Sequence, residues 1–437
     1  MKIDYALLTD LYQLTMAQGY WETGQGDTQA CFHMYFRDYP FKGGYAIACG
    51  MAQLADLVDE FSFSDYLRTF ELRVDIDAVL EGTVVFPHEP LVRVTGPIMD
   101  CQLIETALLN CVNFETLIAT KAARVCLAAQ APVAEFGLRR AQGAGGGLWA
   151  SRAAVVGGCA STSNVLAGKL FDIPVSGTHA HSWVMSFPEE QGIKNAITVG
   201  LEMRERGERL SGIRIDSGDL SWLARMARAM LDEAGLTDCG IVLSNDLDEF
   251  TIQSIRDEGA QVTSWGVGTK LACAYDQPTL GGVYKLSATR ASGESEWTDR
   301  LKISESAAKL TTPGVLDVRR YFYCGSGRLA GDMVFDVNAP GDKLREVIVD
   351  PSDDLRQKNL SGLCSETLLK PLARDGRTVL DASERDAWAA RERAQAGLAT
   401  LDESQKRMLN AHTYPVGLEY GLFERRRDLV VKLRGIA

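Results

Sequence analysis

From about residue 133 the chain alternates short apolar runs with helical segments, a pattern that folds as a parallel sheet with crossover helices. Residues 133–137, 173–178, 212–216, 241–245 and 262–269 read as strands. Residues 161–170, 220–231 and 247–258 read as helices, the second with Leu220, Leu223, Ala224, Ala227 and Leu231 on one face. Each strand ends in polar or glycine residues. This places Arg139, Thr178, His181, Asp216, Ser244 and Thr269 on one rim, the carboxyl rim that β/α barrels use for chemistry. Two of the five histidines, His179 and His181, fall in the segment 176–182 at one such strand end. A histidine there can accept a proton, a metal or a phosphoryl group.

A chain of 437 residues calls for more than one core. Residues 1–132 read as a mixed α/β domain, 133–290 as the β/α region, and 291–437 as a C-terminal region packing back on both. In the first, a helix starts near residue 7 with Thr9 or Asp10 as N-cap, and 33–37 alternates like a strand. Short strands follow at 82–86 and 91–95, then one or two long helices over 101–130. Residues 381–404 read as a solvated outer helix. The net charge of −12 argues against a nucleic-acid surface, though a local arginine cluster can still hold a small anion. The ten cysteines form no C-x-x-C pair and read as reduced, mostly buried thiols of a cytoplasmic protein. The N-terminus has no signal-peptide pattern, and no apolar run approaches a membrane span of ~20 residues.

Three constellations carry chemistry. Arg139 and Arg140 sit just past a strand and are followed by the glycine-rich stretch 143–147. Arginine grips carboxylate or phosphate, and glycine lets backbone approach a phosphate; a surface arginine pair beside a plain loop is the alternative. Arg214 lies inside an apolar strand and needs a partner or a function. Asp216 and Asp219 flank Ser217 and Gly218 with a spacing suited to Mg²⁺ or ribose hydroxyls, while Asp219 can equally serve as a helix N-cap. Residues 265–270 offer backbone amides, the Thr269 hydroxyl and Lys270, a small anion cradle. No third ligand near His179 and His181 completes a zinc site.

The ordered motifs LLTDLYQLTM (7–16), FGLRRAQG (136–143), ASR (150–152), TSN (162–164), GTHAHS (177–182), IRIDSGD (213–219), GVGT (266–269) and GLFERRRDLV (421–430) resemble the nicotinate phosphoribosyltransferase family. The resemblance implies an α/β fold of the quinolinate/nicotinate phosphoribosyltransferase kind, an N-terminal α/β sandwich domain joined to an irregular β/α barrel. It implies an enzyme that makes nicotinate mononucleotide and pyrophosphate from nicotinate and 5-phosphoribosyl 1-pyrophosphate. It further implies coupling to ATP, a requirement for Mg²⁺, and a homodimer with active sites at the interface. By position, His181 matches the transiently phosphorylated histidine. Tyr12, Thr178 and Arg214 match nicotinate-pocket positions, with Tyr12 reaching the partner's site. Thr269 and Arg139 match positions around the phosphoribosyl pyrophosphate. A nicotinamide or quinolinate enzyme, or a catalytically impaired relative with a binding role, are the alternatives. After MSFPEE (185–190) the family has a helix and a strand with an Asp-Thr-Tyr-Asp segment, whereas here QGIKNAI (191–197) follows at once. The chain therefore lacks residues for one βα step, and a barrel strand deleted outright exposes unpaired backbone on both its neighbours.

Overall fold

The computed structural model describes residues 8–61, 72–178, 192–304, 310–339 and 344–435. It contains two compact units, one of residues 1–117 and 279–437, the other of 118–278. The sequence segments 1–132, 133–290 and 291–437 divide the chain at different points. The main reason is strand Val283–Arg290. It pairs antiparallel with Gln29–Tyr35 in the first unit and takes no place among the parallel strands.

The first unit has two large sheets. In one, the order is Thr298–Asp299, Val283–Arg290, Gln29–Tyr35, Val92–Pro97, Asp75–Val79, Leu369–Arg374, Arg377–Thr378. In the other, it is Asp353–Asn359, Val347–Asp350, Val416–Glu419, Leu329–Asp336, Leu316–Phe322, Cys364–Thr367. Gln29–Tyr35 is an interior strand whose five central residues are all buried, so the alternation read at 33–37 does not mark a solvent face. His33 within it is a structural tie. Its Nε2 accepts the amide of Leu316 at 3.0 Å, so Nδ1 carries the proton toward Ser287 Oγ at 2.9 Å, and Ser287 donates to the carbonyl of Cys31 at 3.1 Å. Burial holds the imidazole neutral, its pKa lowered to about 3.

A second tie is ionic. Arg320 is buried and donates to both oxygens of the fully buried Asp332, from Nε to Oδ1 at 3.2 Å and from Nη2 to Oδ2 at 2.5 Å. Tyr414 donates its hydroxyl to Asp332 Oδ1 at 2.8 Å and stacks on Phe86 with ring centroids 3.9 Å apart. Glu89 completes the cluster, 4.0 Å from Arg320. One guanidinium cannot balance two carboxylates away from water. Burial and the neighbouring Asp332 push the Glu89 carboxyl well above its ordinary value, which favours its protonated form.

Helix Leu11–Glu22 starts after Asp10 as read from the sequence, but the Asp10 carboxylate accepts from Thr106 Oγ1 at 2.9 Å and does not cap the helix. The two helices expected over 101–130 are Ile98–Leu103 and Glu105–Ala129. The expectation of a solvated helix at 381–404 needs correcting. Helix Ala387–Thr400 buries Ala387, Ala390, Ala394 and Leu398 along one side. Small side chains let it lie close to Gly82, where a Cβ would stand 1.9 Å from the Ala390 carbonyl oxygen, and φ there is +82°. The reading of ten reduced cysteines also needs correcting. Strands Leu316–Phe322 and Cys364–Thr367 pair with Phe322 opposite Cys364, which brings Cys324 into a disulfide with Cys364. The other eight form no disulfide and are mostly buried, and burial pushes Cys31 up to about 12.

The second unit carries a parallel sheet in the order Ser161–Thr162, Val133–Glu135, Ser264–Val267, Gly240–Asn245, Gly212–Ile215, with Val175 bridged in parallel to Thr162. In chain order these strands run round a ring that closes where Ser264–Val267 meets Val133–Glu135. Among the described residues no strand lies between Val175 and Gly212–Ile215. The strand read at 173–178 is reduced to that single bridge. A buried ionic network lies in the same unit: Glu249 accepts from Arg124 Nε at 2.8 Å and pairs with Lys121 Nζ at 2.6 Å, and Lys121 also meets Asp276. No helix among the described residues is long and apolar enough to cross a membrane.

Asp332→Ala leaves Arg320 buried without its counter-charge. It should lower unfolding stability by about 3–5 kcal/mol, read by urea titration. The raised Glu89 carboxyl favours the folded state fully below the ordinary carboxylate value of about 4.3, and that contribution is lost as pH rises through the raised folded value. Glu89→Gln keeps a hydrogen-bond donor and removes the titration. Its stability relative to wild type should therefore rise with pH, and a constant difference across the range would contradict this assignment of the proton.

Candidate active site

The carboxyl rim of the parallel sheet is built by short loops, and the residue that ends each loop caps the next helix. Asn164 Oδ1 accepts from Ala167 N, Asp219 Oδ1 from Trp222 N, and Asp248 Oδ1 from Thr251 N. This fixes where each strand stops and which residues remain at the rim.

Glu135 organises one side. It ends strand Val133–Glu135 and is 1% exposed. Its Oε2 accepts from Ser151 Oγ at 2.9 Å and Thr162 Oγ1 at 2.7 Å, and its Oε1 takes the amide of Gly137. Asn164 donates its side-chain amide to Ser151 Oγ at 3.2 Å. One buried carboxylate thus aligns the motifs at 136–143, 150–152 and 162–164. Gly137 permits this turn, since a Cβ there would stand 2.2 Å from the Cβ of Ala272. Glu135 was not singled out from the sequence, where an acidic residue closing an apolar strand was the only signal.

Arg139 follows on the exposed 3₁₀ turn Leu138–Arg140. The glycine-rich stretch is no loop. It forms the first turn of helix Gly143–Val156, which the Gln142 side chain does not cap. A Cβ at Gly145 or Gly146 would have no heavy atom within 4 Å, so this turn presents backbone amides to open space.

On the other side, Arg214 answers the question its sequence position raised. It pairs with Asp216, Nη2 to Oδ1 at 2.5 Å, and donates from Nε to Ser244 Oγ at 2.8 Å. Ser244 in turn donates to Asp216 Oδ1 at 2.6 Å. This triangle ties strands Gly212–Ile215 and Gly240–Asn245 and leaves the guanidinium about one quarter exposed. Ser244 aligns with Gly266, where a Cβ would strike the Phe136 ring at 2.6 Å. Thr269 opens the short helix Thr269–Ala272, half-buried at the rim. Lys270, read as part of an anion cradle, is engaged by Asp248 at 2.7 Å. Hydrogen bonding to Asp248 raises the Lys270 pKa. Burial alone would raise Asp248, but the bonds from Lys270 and Thr251 outweigh it and hold its carboxyl low.

Across the rim the order is therefore Thr162, Glu135 with Arg139, Thr269, Ser244, then Arg214 with Asp216. Thr178 is exposed, a few residues beyond the Val175 bridge. His179 and His181 lie outside the described residues. Tyr12 belongs to the first unit, on helix Leu11–Glu22, where burial and the Glu105 carboxylate raise its phenol pKa. Asp216 and the exposed Asp219 carboxylate bracket Gly218, which has φ of +82°. Two such carboxylates beside solvent are the hard oxygen donors that suit Mg²⁺ and its retained waters. A separate grouping in the first unit, Cys49, Glu81 and Glu115, lies within 4.8 Å and is buried. There Glu81 Oε1 accepts the amides of Gly50 at 2.7 Å and Ala52 at 3.2 Å, at the start of helix Met51–Phe61.

Residues 7–65 and 60–113 match the nicotinate phosphoribosyltransferase N-terminal domain, and 318–426 the nicotinate phosphoribosyltransferase C-terminal domain. The nicotinate phosphoribosyltransferase of Bacillus subtilis is 38% identical, covering 94% of this chain and 92% of its own length. That alignment spans 462 positions, more than the 437 residues of this chain, so the relative has residues without counterpart here. The Caenorhabditis elegans nicotinate phosphoribosyltransferase is 34% identical over 72% of this chain and 74% of its own. The crystal structure of human nicotinic acid phosphoribosyltransferase superposes with a TM-score of 0.76 at 29% identity, covering 97% of this chain and all of that one. A nicotinate-nucleotide pyrophosphorylase from Pyrococcus furiosus, 21% identical with a TM-score of 0.66, shares the fold over 92% of this chain and 96% of its own. On these matches, which cover nearly the whole chain, the chain belongs to the nicotinate phosphoribosyltransferase family.

Proposed function

We propose that this chain transfers the phosphoribosyl group of 5-phosphoribosyl 1-pyrophosphate to nicotinate, giving nicotinate mononucleotide and pyrophosphate. The bond formed joins the pyridine nitrogen to ribosyl C1, and the bond broken joins C1 to the pyrophosphate oxygen. The observation that carries this reading is the Arg214–Asp216–Ser244 triangle on the rim of a family fold. Its guanidinium is held in one orientation yet remains partly exposed, which suits a planar carboxylate such as that of nicotinate. Arg139 and the uncapped first turn of helix Gly143–Val156 supply positive potential for the phosphates. Thr269 and Thr178 offer hydroxyls to the ribosyl phosphate and the pyridine acid. Departure of pyrophosphate leaves cationic character at C1, so the rim acts by positioning and charge stabilisation more than by proton transfer.

Mg²⁺, held by Asp216 and Asp219 with water, would neutralise pyrophosphate charge. ATP is the proposed second cofactor and His181 its phosphoryl acceptor. The added charge on His181 would reorganise the arginine contacts of the rim and so tighten substrate binding. The active form is proposed to be a cytoplasmic homodimer in which Tyr12 lies against the partner's rim.

Incubation with phosphoribosyl pyrophosphate, Mg²⁺ and nicotinate should yield the mononucleotide, faster with ATP; quinolinate and nicotinamide should not replace nicotinate. Absence of product from nicotinate would sink the reading. Arg214→Ala should raise KM for nicotinate about 100-fold, the loss of a charge-assisted pair. His181→Ala should keep the ATP-independent rate and lose the stimulation by ATP. Full stimulation in that variant would remove His181 from the scheme.

A further inference from the structure

The first unit contains a cavity of 760 Å³ with an unusual charge balance. Its lining includes five cations, Arg37, Lys285, Arg356, Lys358 and Arg426, against two carboxylates, Asp38 and Asp350. Asp350 faces Arg356 at 3.6 Å. Among the described residues, none of the other four cations has a carboxylate within ion-pair distance. Lys285 donates only to the carbonyl of Tyr284 at 2.7 Å, and Lys358 only to that of Ala330 at 2.6 Å. Arg426 is 7% exposed and donates to the carbonyls of Thr311 at 3.0 Å and Leu310 at 3.3 Å. The Nε of Arg37 is buried and has no hydrogen-bond partner among the described residues. Burial lowers the pKa of both Lys285 and Arg426.

Cations withdrawn from water without counter-charges are costly, and a chain of net charge −12 has carboxylates to spare for them. Their concentration around one cavity points to an anion that comes from outside the chain. The same walls carry rings. Tyr35 lies under the Arg37 guanidinium at 6.0 Å and beside His88 at 6.4 Å, and Tyr414 is fixed by Phe86 and Asp332. The volume lies within the range of pockets that enclose small organic ligands.

We propose that this cavity is a second ligand site, separate from the barrel rim, that binds a phosphate ester bearing a flat ring, of the nucleotide class. Arg37, Lys285 and Lys358 hold the phosphate, and the tyrosine and histidine rings take the base. The proposal does not depend on the activity assigned to the rim, because every lining residue belongs to the first unit.

Calorimetric titration of the full chain with AMP, adenosine and inorganic phosphate tests it. AMP should bind at a site that survives Arg214→Gln, a rim change, and that weakens at least 10-fold in the double variant Arg37→Gln/Lys285→Gln. Adenosine should bind at least 10-fold more weakly than AMP, and phosphate alone more weakly than AMP but competitively with it. The double variant should retain the wild-type turnover rate without AMP. If its own melting temperature falls, Lys358→Gln replaces it, at the one half-buried position of the otherwise exposed strand Asp353–Asn359, where a glutamine amide can still donate toward the Ala330 carbonyl. AMP binding unchanged in the cavity variants, AMP binding lost only in Arg214→Gln, or no AMP binding at all would each overturn the proposal.

Discussion

One buried guanidinium holds together a unit whose two chain segments are separated by more than 160 residues. Arg320 sits on a strand of the C-terminal segment, and Glu89 and Phe86 come from the N-terminal one. Asp332 and Tyr414 close the cluster between them. Such a cluster adds little net energy over an apolar core, since desolvating the charges offsets most of their attraction. Its value is in specificity: Arg320, Asp332 and Tyr414 pair within the C-terminal segment, and Glu89 and Phe86 meet them only when both segments are in register. His33, bonded to Leu316 and Ser287 across the same two segments, imposes a second condition of the same kind. The parallel sheet between the segments in sequence can then be an insertion with its own core.

Within that insertion the candidate rim depends on backbone proximity more than on any reactive side chain. Glycine at 137 and 266 lets neighbouring strands and turns approach where a Cβ would collide. Glu135 then converts that proximity into order by taking three donors from three motifs. Arg214 is fixed by Asp216 and Ser244 in the same manner. Both arrangements commit polar groups before a substrate arrives, which is how a positioning catalyst reduces reorganisation during reaction. The edge strand Gly212–Ile215 that carries Arg214 is supported from one side by strand pairing and from the other by none of the described strands.

Local pattern was legible wherever a residue's role depends on its neighbours in sequence. The alternation of strands and helices after residue 133, the apolar face of Leu220–Glu233 and the capping role of Asp219 follow from spacing alone, and the structure has them. The pairing of Arg214 was legible as a need, because a charge in an apolar strand must be compensated, but its partner Ser244 lies on another strand and could not be named. The glycine run at 143–147 was read as a place where backbone approaches a phosphate, with a plain loop as the alternative; that it opens helix Gly143–Val156 follows from the later turns, from Gly147 to Val156, which bury against the core. The alanine-rich segment at 381–404 was read as solvated from its charges. Only the close approach to Gly82 shows why its alanines are small.

What the sequence determined by itself is therefore the class of the second unit, the rim and the family, each encoded in short motifs whose chemistry is local. What only the tertiary structure decided is non-local. It decided the merger of both chain ends into one unit, the protonation of Glu89, the pairing of Cys324 with Cys364, and the gathering of Arg37, Lys285, Lys358 and Arg426 around one cavity. These residues are far apart in the chain and carry no shared spacing. Burial and counter-charge, which set their protonation and their affinity for an anion, exist only once the sheets have formed.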